Sequence, residues 1–322
     1  MRKTLSLVLC VAMMLSLVGV ATAADYPKKG IDVVCPWGAG GGTDACLRAL
    51  CQAAEKILGE TLTVENKTGG GGLIGHSAIA TAKPDGYNIG MITFELSTYV
   101  PQGTGDITYA DYAPICLVNT DASALTVNTK WAADNNVTDV ASFVKYCQEN
   151  PGTVNIGNSA PASVWHIGAG LLAQETGIEV KHVPFEGAAP AVTALAGGHI
   201  EAVSVSVGEV RSQVDAGNLL ILGVMDTARP AIYPDVPTFQ EQGYDIVYGT
   251  WRGIGAPKDI DPEVKAVLVD AFAKAVEAPE FVEFMNNSAL TISYKNEADF
   301  LAFMTQNYTD VENTMKALGL AQ

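Results

Sequence analysis

The sequence predicts an α/β fold with parallel sheets, divided into two lobes. Short strands alternate with amphipathic helices along most of the 322 residues, and repeated strand–loop–helix–strand units place their strands parallel. Only 17% of the residues are charged and 48% are apolar, so the chain can bury a large core. Its length exceeds the roughly 100–150 residues of a typical domain, which favours two lobes over one.

The first 23 residues are typical of a secretory signal peptide. Arg2 and Lys3 precede an apolar run from Leu5 to Val20, and the small residues 21–23 form a cleavage pattern. The run is shorter than the about 20 apolar residues of a membrane-spanning helix, and no later segment is apolar enough to span. We therefore expect residues 1–23 to be removed and the mature protein to be soluble in the periplasm.

The elements of the first half follow from their periodicity. IDVVCP (31–36) indicates a buried strand. Residues 47–58 place their apolar side chains on one helical face, which Gly59 ends. TLTVEN (61–66) and the end of PDGYNIGMIT (84–93) are predicted as further strands.

The second half repeats the alternation. A helix with apolar residues between Val140 and Cys147 is expected to be capped by Thr138, and TVNIGNS (153–159) indicates a strand followed by a loop. The helix after it ends at Gly177, and HIEAVSVSV (199–207) alternates like a strand. Three helices are predicted near the end, the first with the N-cap pair Asp261 and Pro262: Val264 to Val276, Pro279 to Met285, and Phe300 to Leu318.

Two loops are the candidate binding segments: PWGAGGGTD (36–44) and GNSAPASVWH (157–166). Each leaves the carboxyl end of a predicted strand and opens a helix, which is where α/β sheets bind ligands. A helix N-terminus presents unpaired backbone N–H groups and the positive end of a dipole, so it favours an anion.

The anion is better explained as a carboxylate than as a phosphate. A phosphate-binding P-loop needs a lysine after its glycines, and a dinucleotide fingerprint needs three spaced glycines, of which Gly38 and Gly40 supply only part. We therefore expect main-chain amides from both loops to hold an organic acid without a positively charged side chain. The alternative is that the glycines only make a tight turn.

The net charge excludes some classes of binding partner, and the cysteine count bears on disulfide formation. The formal net charge is −16, and losing Arg2 and Lys3 would lower it by two, which argues against nucleic acid or anionic lipid. Five cysteines remain beyond Cys10, an odd number, so at least one thiol stays free. We interpret them as small buried apolar residues, with a bridge between Cys35 and Cys46 left open.

The chain resembles the substrate-binding proteins of tripartite tricarboxylate transporters, the Bug receptors. The resemblance rests on Tyr26-Pro27 and PWGAGGGTD, and continues through motifs that keep the family's order and spacing over essentially the whole mature chain. These motifs are VENKTGGGGLIG (64–75), PDGYNI (84–89), DYAPICLV (111–118), ENPGTVNIGNS (149–159), HVPFEGAAPAVTALAGGHIEAV (182–203), ARPAIYPDVPTFQEQGY (228–244) and GIGAPKDI (253–260).

The resemblance implies a type II periplasmic-binding-protein fold, with two α/β lobes, a ligand cleft between them and two crossover strands, near Leu125 and Trp251. Lobe 1 would comprise residues 25–125 plus 249–322, and lobe 2 residues 126–248. Carried over by position, the ligand-binding residues would be Trp37, Gly41, Gly42, Thr43 and Asp44 in lobe 1, and Asn158, Ser159, Ala160 and Ser163 in lobe 2. Asp44 could instead cap the first helix.

Two departures from the family pattern concern the ligand. Trp37 stands where phenylalanine is usual, and could stack on a flat ligand or simply wall the cleft. Val205 stands at a position expected to face the cleft, where relatives often carry an aspartate. An apolar residue there removes a partner for a ligand amine, which favours a carboxylate with an apolar or aromatic body over an amino acid.

The residues argue against metal and enzymatic chemistry. The histidines at 76, 166, 182 and 199 show no metal-binding spacing, so we expect no metal and no cofactor. Ser163 and His166 could suggest a hydrolase, but no G-x-S-x-G elbow is present. His166 is better explained as a residue that orders its loop.

The resemblance implies a monomeric extracytoplasmic receptor that delivers a di- or tricarboxylate, or an aromatic acid, to membrane permease subunits. A periplasmic sensor that reports the carboxylate to a membrane kinase would need the same pocket and remains the alternative. An exported hydrolase is a third, weaker interpretation.

Overall fold

The computed structural model describes residues 26–322, and the expected signal peptide lies outside them. The strands are β1 (Ile31–Cys35), β2 (Leu62–Asn66), β3 (Asn88–Thr93), β4 (Tyr112–Asn128), β5 (Asn155–Asn158), β6 (Lys181–Pro184), β7 (Ala202–Ser206), β8 (Leu219–Val224), β9 (Gly249–Pro257) and β10 (Ile292–Lys295). The α-helices are α1 (Gly42–Leu58), α2 (Leu73–Ala80), α3 (Tyr99–Gln102), α4 (Thr129–Asp134), α5 (Val140–Glu149), α6 (Val164–Thr176), α7 (Ala188–Ala196), α8 (Val207–Asp215), α9 (Pro262–Val276), α10 (Pro279–Asn287) and α11 (Glu297–Ala317).

The sheet is parallel at both ends and antiparallel in the middle. Its strand order is β2-β1-β3-β9-β4-β7-β5-β6, with β8 and β10 also paired to β4. β1 runs parallel to β2 and β3, and β5 runs parallel to β6 and β7, as the strand–helix alternation predicts. β9 and β4 lie antiparallel to each other and to their other neighbours, so long-range pairing joins the two parallel halves.

The long strand β4 belongs to both halves of the sheet. Its residues up to Ala122 pair with β9, and from Ser123 onward it pairs with β7 and β8. The backbone N–H of Ser123 donates to the carbonyl of Tyr248, so the segment before β9 crosses beside it. We keep 25–125 plus 249–322 as the proposed limits of lobe 1, and 126–248 as those of lobe 2.

Helix ends follow the local rules with one exception. α1 ends at Gly59, which adopts the left-handed conformation (φ 74°), and α9 begins at the Asp261 cap with Pro262 in its first turn, as predicted. The predicted Thr138 cap of α5 is wrong, because the cap is Asp139. The Asp139 carboxylate accepts from Ser142 N at 2.7 Å, and the Ser142 hydroxyl accepts from Asp139 N in return.

The predicted strand HIEAVSVSV is shorter than expected. β7 ends at Ser206, and α8 begins at Val207. Ser206 and Glu209 form a capping box, because the Glu209 carboxylate accepts from the Ser206 backbone N at 3.0 Å. This early helix start brings Glu209 to the cleft.

The five cysteines among the described residues are free and buried, which confirms their interpretation as apolar core residues and leaves Cys35 and Cys46 unbridged. The core consists of three apolar clusters, of which two contain residues from both proposed lobes. Within residues 26–322, no helix combines the length and apolar character needed to cross a membrane.

Candidate functional site

A small cavity lies where the two candidate loops meet. We call it the loop cavity, and its volume is about 30 Å³, enough for about two water-sized groups. It is lined from both lobes by Trp37, Gly38, Gly41, Gly42, Thr43, Thr93, Glu95, Ser159, Val164, Trp165, Glu186, Gly187, Ala188, Ala189, Pro190, Glu209, Thr250 and Arg252.

A much larger cavity adjoins it. This wide cavity has a volume of about 610 Å³ and shares Glu95 and Glu186 with the loop cavity. Its lining comes from the glycine-rich turn after β2, the segment after β3, the loop before α6 and the end of β6 with the residues after it. The lining residues are Gly70, Gly71, Leu73, Glu95, Thr98, Tyr99, Gln102, Thr104, Ala160, Pro161, Ser163, Pro184, Phe185 and Glu186.

The predicted site residues of the glycine loop mostly reach the loop cavity. Trp37, Gly41, Gly42 and Thr43 line it, together with Ser159 from the second loop. The Trp37 indole N–H donates to the Thr93 hydroxyl at 3.3 Å, so the ring face rather than the N–H remains for a ligand.

Asp44 and Val205 line neither cavity. The Asp44 carboxylate accepts from Gly40 N at 3.0 Å and from Arg48 Nε at 2.9 Å, so it fixes the glycine loop instead. Val205 is fully buried in β7, where it pairs with Ala124.

The predicted site residues of the second loop lie in different places. Ala160 and Ser163 line the wide cavity. Asn158 is fully buried, and neither polar atom of its side-chain amide has a hydrogen-bond partner among the described residues. Ser163 caps α6, since its hydroxyl accepts from His166 N. His166 Nδ1 accepts from Ala162 N at 2.8 Å, which agrees with its interpretation as a residue that orders this loop.

Sequence reasoning missed Arg252, whose guanidinium group lines the loop cavity. Its side chain is 2% exposed; Nε donates to the Thr43 hydroxyl at 3.0 Å, and Nη1 donates to Asp121 and Asn119. Nη2 lies 3.6 Å from Glu209 Oε1. A cation therefore does stand at the glycine loop, contrary to the expectation of a site built from amides alone, although its donors are largely engaged.

Sequence reasoning also missed two buried glutamates that cross between the lobes. Glu209 of lobe 2 accepts from Gly42 N at the start of α1 (3.3 Å), and Glu95 of lobe 1 accepts from Val164 N at the start of α6 (3.4 Å). Each helix N-terminus that was expected to hold a ligand carboxylate thus holds a carboxylate of the opposite lobe. Burial raises the pKa of both glutamates.

A buried histidine supports Glu95 through Thr93. His76 Nε2 accepts from Thr93 N at 3.1 Å, and the Thr93 hydroxyl donates to Glu95 Oε2 at 2.6 Å. Burial lowers the pKa of His76 to about 3, so its ring is neutral near neutral pH. In residues 26–322, no group of three or more histidine, cysteine, aspartate or glutamate side chains is arranged to hold a metal ion.

Residues 46–320 match the model of the "Tripartite tricarboxylate transporter family receptor". BugT from Bordetella pertussis is 30% identical over 271 residues, covering 81% of each chain. A Cupriavidus necator relative, named "UPF0065 protein in gbd 5'region", is 28% identical over 302 residues, covering 94% of this chain and 91% of its own.

Solved structures match over most of the chain as well. The periplasmic binding protein BugD is 27% identical with a TM-score of 0.85, over 92% of this chain and 99% of its own. An R. palustris protein solved with adipate has a TM-score of 0.87 at 23% identity, over 92% and 99% of the two chains. These matches confirm the type II periplasmic-binding-protein fold with two α/β lobes.

Proposed function

The chain belongs to the tripartite tricarboxylate transporter receptor family, and on that premise we propose that it captures a small organic carboxylate between its lobes and delivers it to membrane permease subunits. It would act in the periplasm as a monomer after removal of residues 1–23, and as a binding protein rather than an enzyme. Closure of the lobes around the ligand would be the signal that the permease recognises.

The observation that carries the proposal is the pair of adjoining cavities to which both lobes contribute. The wide cavity, about 610 Å³, has the size of a small-molecule site. The loop cavity beside it is small and includes polar groups from both lobes in its lining, so a ligand body in the wide cavity could extend one polar group toward Ser159 and the glycine loop. Structural neighbours support a carboxylate, because two R. palustris proteins of this fold were solved with adipate and with malate.

The geometry at Ser163 favours a receptor over a hydrolase. A serine nucleophile needs its hydroxyl bonded to the ring of a histidine base. Here the Ser163 hydroxyl accepts from the backbone N of His166, while the His166 ring accepts from Ala162 N. In the described chain, no hydrogen bond joins the Ser163 hydroxyl to the His166 ring.

Binding is tested by a thermal-shift screen of the mature protein against di- and tricarboxylates, aromatic acids and acidic amino acids. A ligand of the native state raises the free energy of unfolding by RT ln(1 + [L]/Kd), and the melting temperature rises with it. The same acid should change the tryptophan fluorescence in wild type and in Trp131→Phe, and less in Trp37→Phe, because Trp37 lines the loop cavity whereas Trp131 packs on Phe143 in lobe 2.

Delivery is tested by uptake of the radiolabelled acid in cells. Deletion of the receptor should abolish high-affinity uptake, and re-expression should restore it. Uptake that persists unchanged in the deletion strain, with only the transcriptional response to the acid lost, would favour the sensor.

A further inference from the structure

Carboxyl groups outnumber cations in the lining of the site. The charged side chains of the loop cavity are Glu95, Glu186, Glu209 and Arg252, and those of the wide cavity are Glu95 and Glu186. A second negative charge on the ligand would therefore enter a site that is already negative. Such a lining favours a ligand that brings positive charge.

Arg252 does not balance this excess. Its guanidinium is shared between Asp121 and Glu209, and its Nε donates to Thr43. Glu95 is 3% exposed, and within residues 26–322 it forms no ion pair with any lysine, arginine or histidine. Burial disfavours the charged form of a carboxylate and raises the pKa of both glutamates, although Arg252 lies 3.6 Å from Glu209.

Two largely buried serine and threonine side chains face the loop cavity without a hydrogen-bond partner from residues 26–322 of the protein. Ser159 is 4% exposed and Thr250 is 6% exposed, and both line the loop cavity. Neither hydroxyl makes a hydrogen bond to another group in the part of the chain that the structure describes. Buried polar side chains normally find a partner, so two that face one cavity from opposite lobes point to a polar ligand group between them.

We propose that the ligand carries a positively charged nitrogen in addition to its carboxylate, and that Glu95 and Glu209 bind this nitrogen with Ser159 and Thr250 beside it. The inference rests on the proposed function and specifies its ligand class as zwitterionic. An ammonium group has three donors and no acceptor, which suits two carboxylates and neighbouring hydroxyl oxygens.

This ligand class differs from the one that Val205 favours in the sequence. The apolar side chain at position 205 removes one carboxylate partner for an amine, but Val205 is buried and lines neither cavity. Glu95 and Glu209 supply carboxylates from other elements, the segment after β3 and the first turn of α8.

The test is a calorimetric titration of the mature wild-type protein with three compounds that share a four-methylene spacer: adipate, 5-aminopentanoate and 1,4-diaminobutane. They differ in charge at neutral pH, from two negative, through zwitterionic, to two positive. We expect 5-aminopentanoate to bind at least about tenfold tighter than adipate. Succinate and 3-aminopropanoate, with two methylenes, repeat the comparison at a shorter length.

The variants Glu95→Gln and Glu209→Gln should each reduce the preference for the zwitterion over the diacid by about tenfold. Glu201→Gln is the matched control. The Glu201 carboxylate likewise accepts from a backbone N–H, that of Asn155 at 2.7 Å, but Glu201 is only half-buried and lines neither cavity. The preference should stay unchanged in this variant.

The outcomes separate this inference from the proposed function. Tighter binding of the diacids overturns the inference, leaves the carboxylate receptor intact, and indicates that ligand carboxylates replace Glu95 and Glu209 at the helix N-termini. Binding of 1,4-diaminobutane alone contradicts both the proposed carboxylate function and the zwitterionic class. The wild-type comparison decides the question even if a glutamine variant fails to fold.

Discussion

Glu209 Oε1 lies 3.3 Å from the backbone N of Gly42, so the first turn of α1 in lobe 1 binds a carboxylate that belongs to lobe 2. The residues are 167 positions apart in the chain. The contact ties α8 to the glycine loop, and Arg252 stands beside it with Nη2 3.6 Å from the same oxygen. The glycine loop is therefore part of an interlobe ion cluster as well as a wall of the cavity.

The first prediction concerns the side chain allowed at position 42. In Gly42→Ala, the new Cβ would lie 2.9 Å from Arg252 Nη2 and 3.2 Å from Glu209 Oε1, so the cluster must shift. We expect the free energy of unfolding to fall by about 1–3 kcal/mol, as in other overpacked sites. We also expect the best acid of the thermal screen to bind about tenfold more weakly.

Gly41→Ala is the control for this substitution. Gly41 has φ −80°, and its Cβ would meet only Gly38 O at 3.6 Å, an ordinary contact. Urea denaturation should therefore place the stability of Gly41→Ala close to that of wild type. Equal effects of the two alanines would contradict the role given to the Gly42–Glu209 contact.

The second prediction concerns the buried guanidinium. Arg252→Met leaves Asp121 and Glu209 buried without their positive partner, which should lower the free energy of unfolding by about 3–5 kcal/mol. Arg48→Met removes an ion pair with Asp44 whose arginine is 45% exposed, and should cost at most about 1 kcal/mol. Urea denaturation of both variants measures the difference, and similar losses would contradict the ion cluster.

The third prediction concerns acid stability. Burial lowers the pKa of His76 to about 3 from an ordinary 6.5. Between pH 6.5 and 3, His76 is protonated in the unfolded chain but neutral in the folded chain. The stability contributed by neutral His76 is therefore fully present above pH 6.5 and declines as the pH falls toward 3. The slope is about 1.4 kcal/mol per pH unit in the middle of this range.

His76→Gln removes this proton linkage. The difference in the free energy of unfolding between wild type and His76→Gln should narrow as the pH falls from 6 to 4, while the exposed His199→Gln serves as control. Denaturant unfolding at several pH values measures it. A constant difference across the range would show that His76 does not stay neutral in the folded protein.

The fourth prediction concerns the thiols. Burial raises the pKa of Cys35, Cys46 and Cys116 to about 12 each, so thiolate is scarce at pH 8. We expect the native mature protein to resist a disulfide reagent such as DTNB. After unfolding in guanidinium without reductant, all five thiols should react. A smaller number would indicate a disulfide in the secreted protein.

The parts of the site that the sequence could predict are those fixed by local chemistry. Gly42, Thr43 and Ser159 lie where a loop after a strand leads into a helix, and turn residues and periodicity locate such places without knowledge of the rest of the chain. The cap at Gly59 and the Asp261–Pro262 start are predictable for the same reason.

The charged residues of the site could not be predicted, because long-range pairing places them. Arg252 reaches Thr43 only since β9 inserts antiparallel between β3 and β4. Glu95 follows β3 and meets α6 across the cleft. For Glu209 a local signal did exist, because a serine followed three residues later by a glutamate is a capping-box pattern that marks a helix start at Ser206. The alternating residues of HIEAVSVSV instead favoured a strand that continues to Val207.

The most direct measurement is a crystal structure of the mature protein grown with 5-aminopentanoate. We expect the body of the ligand in the wide cavity and its nitrogen at the loop cavity, about 3 Å from a carboxylate oxygen of Glu95 or Glu209. A ligand bound outside the two cavities, or one whose carboxylate takes the place of Glu209 at Gly42 N, would contradict it.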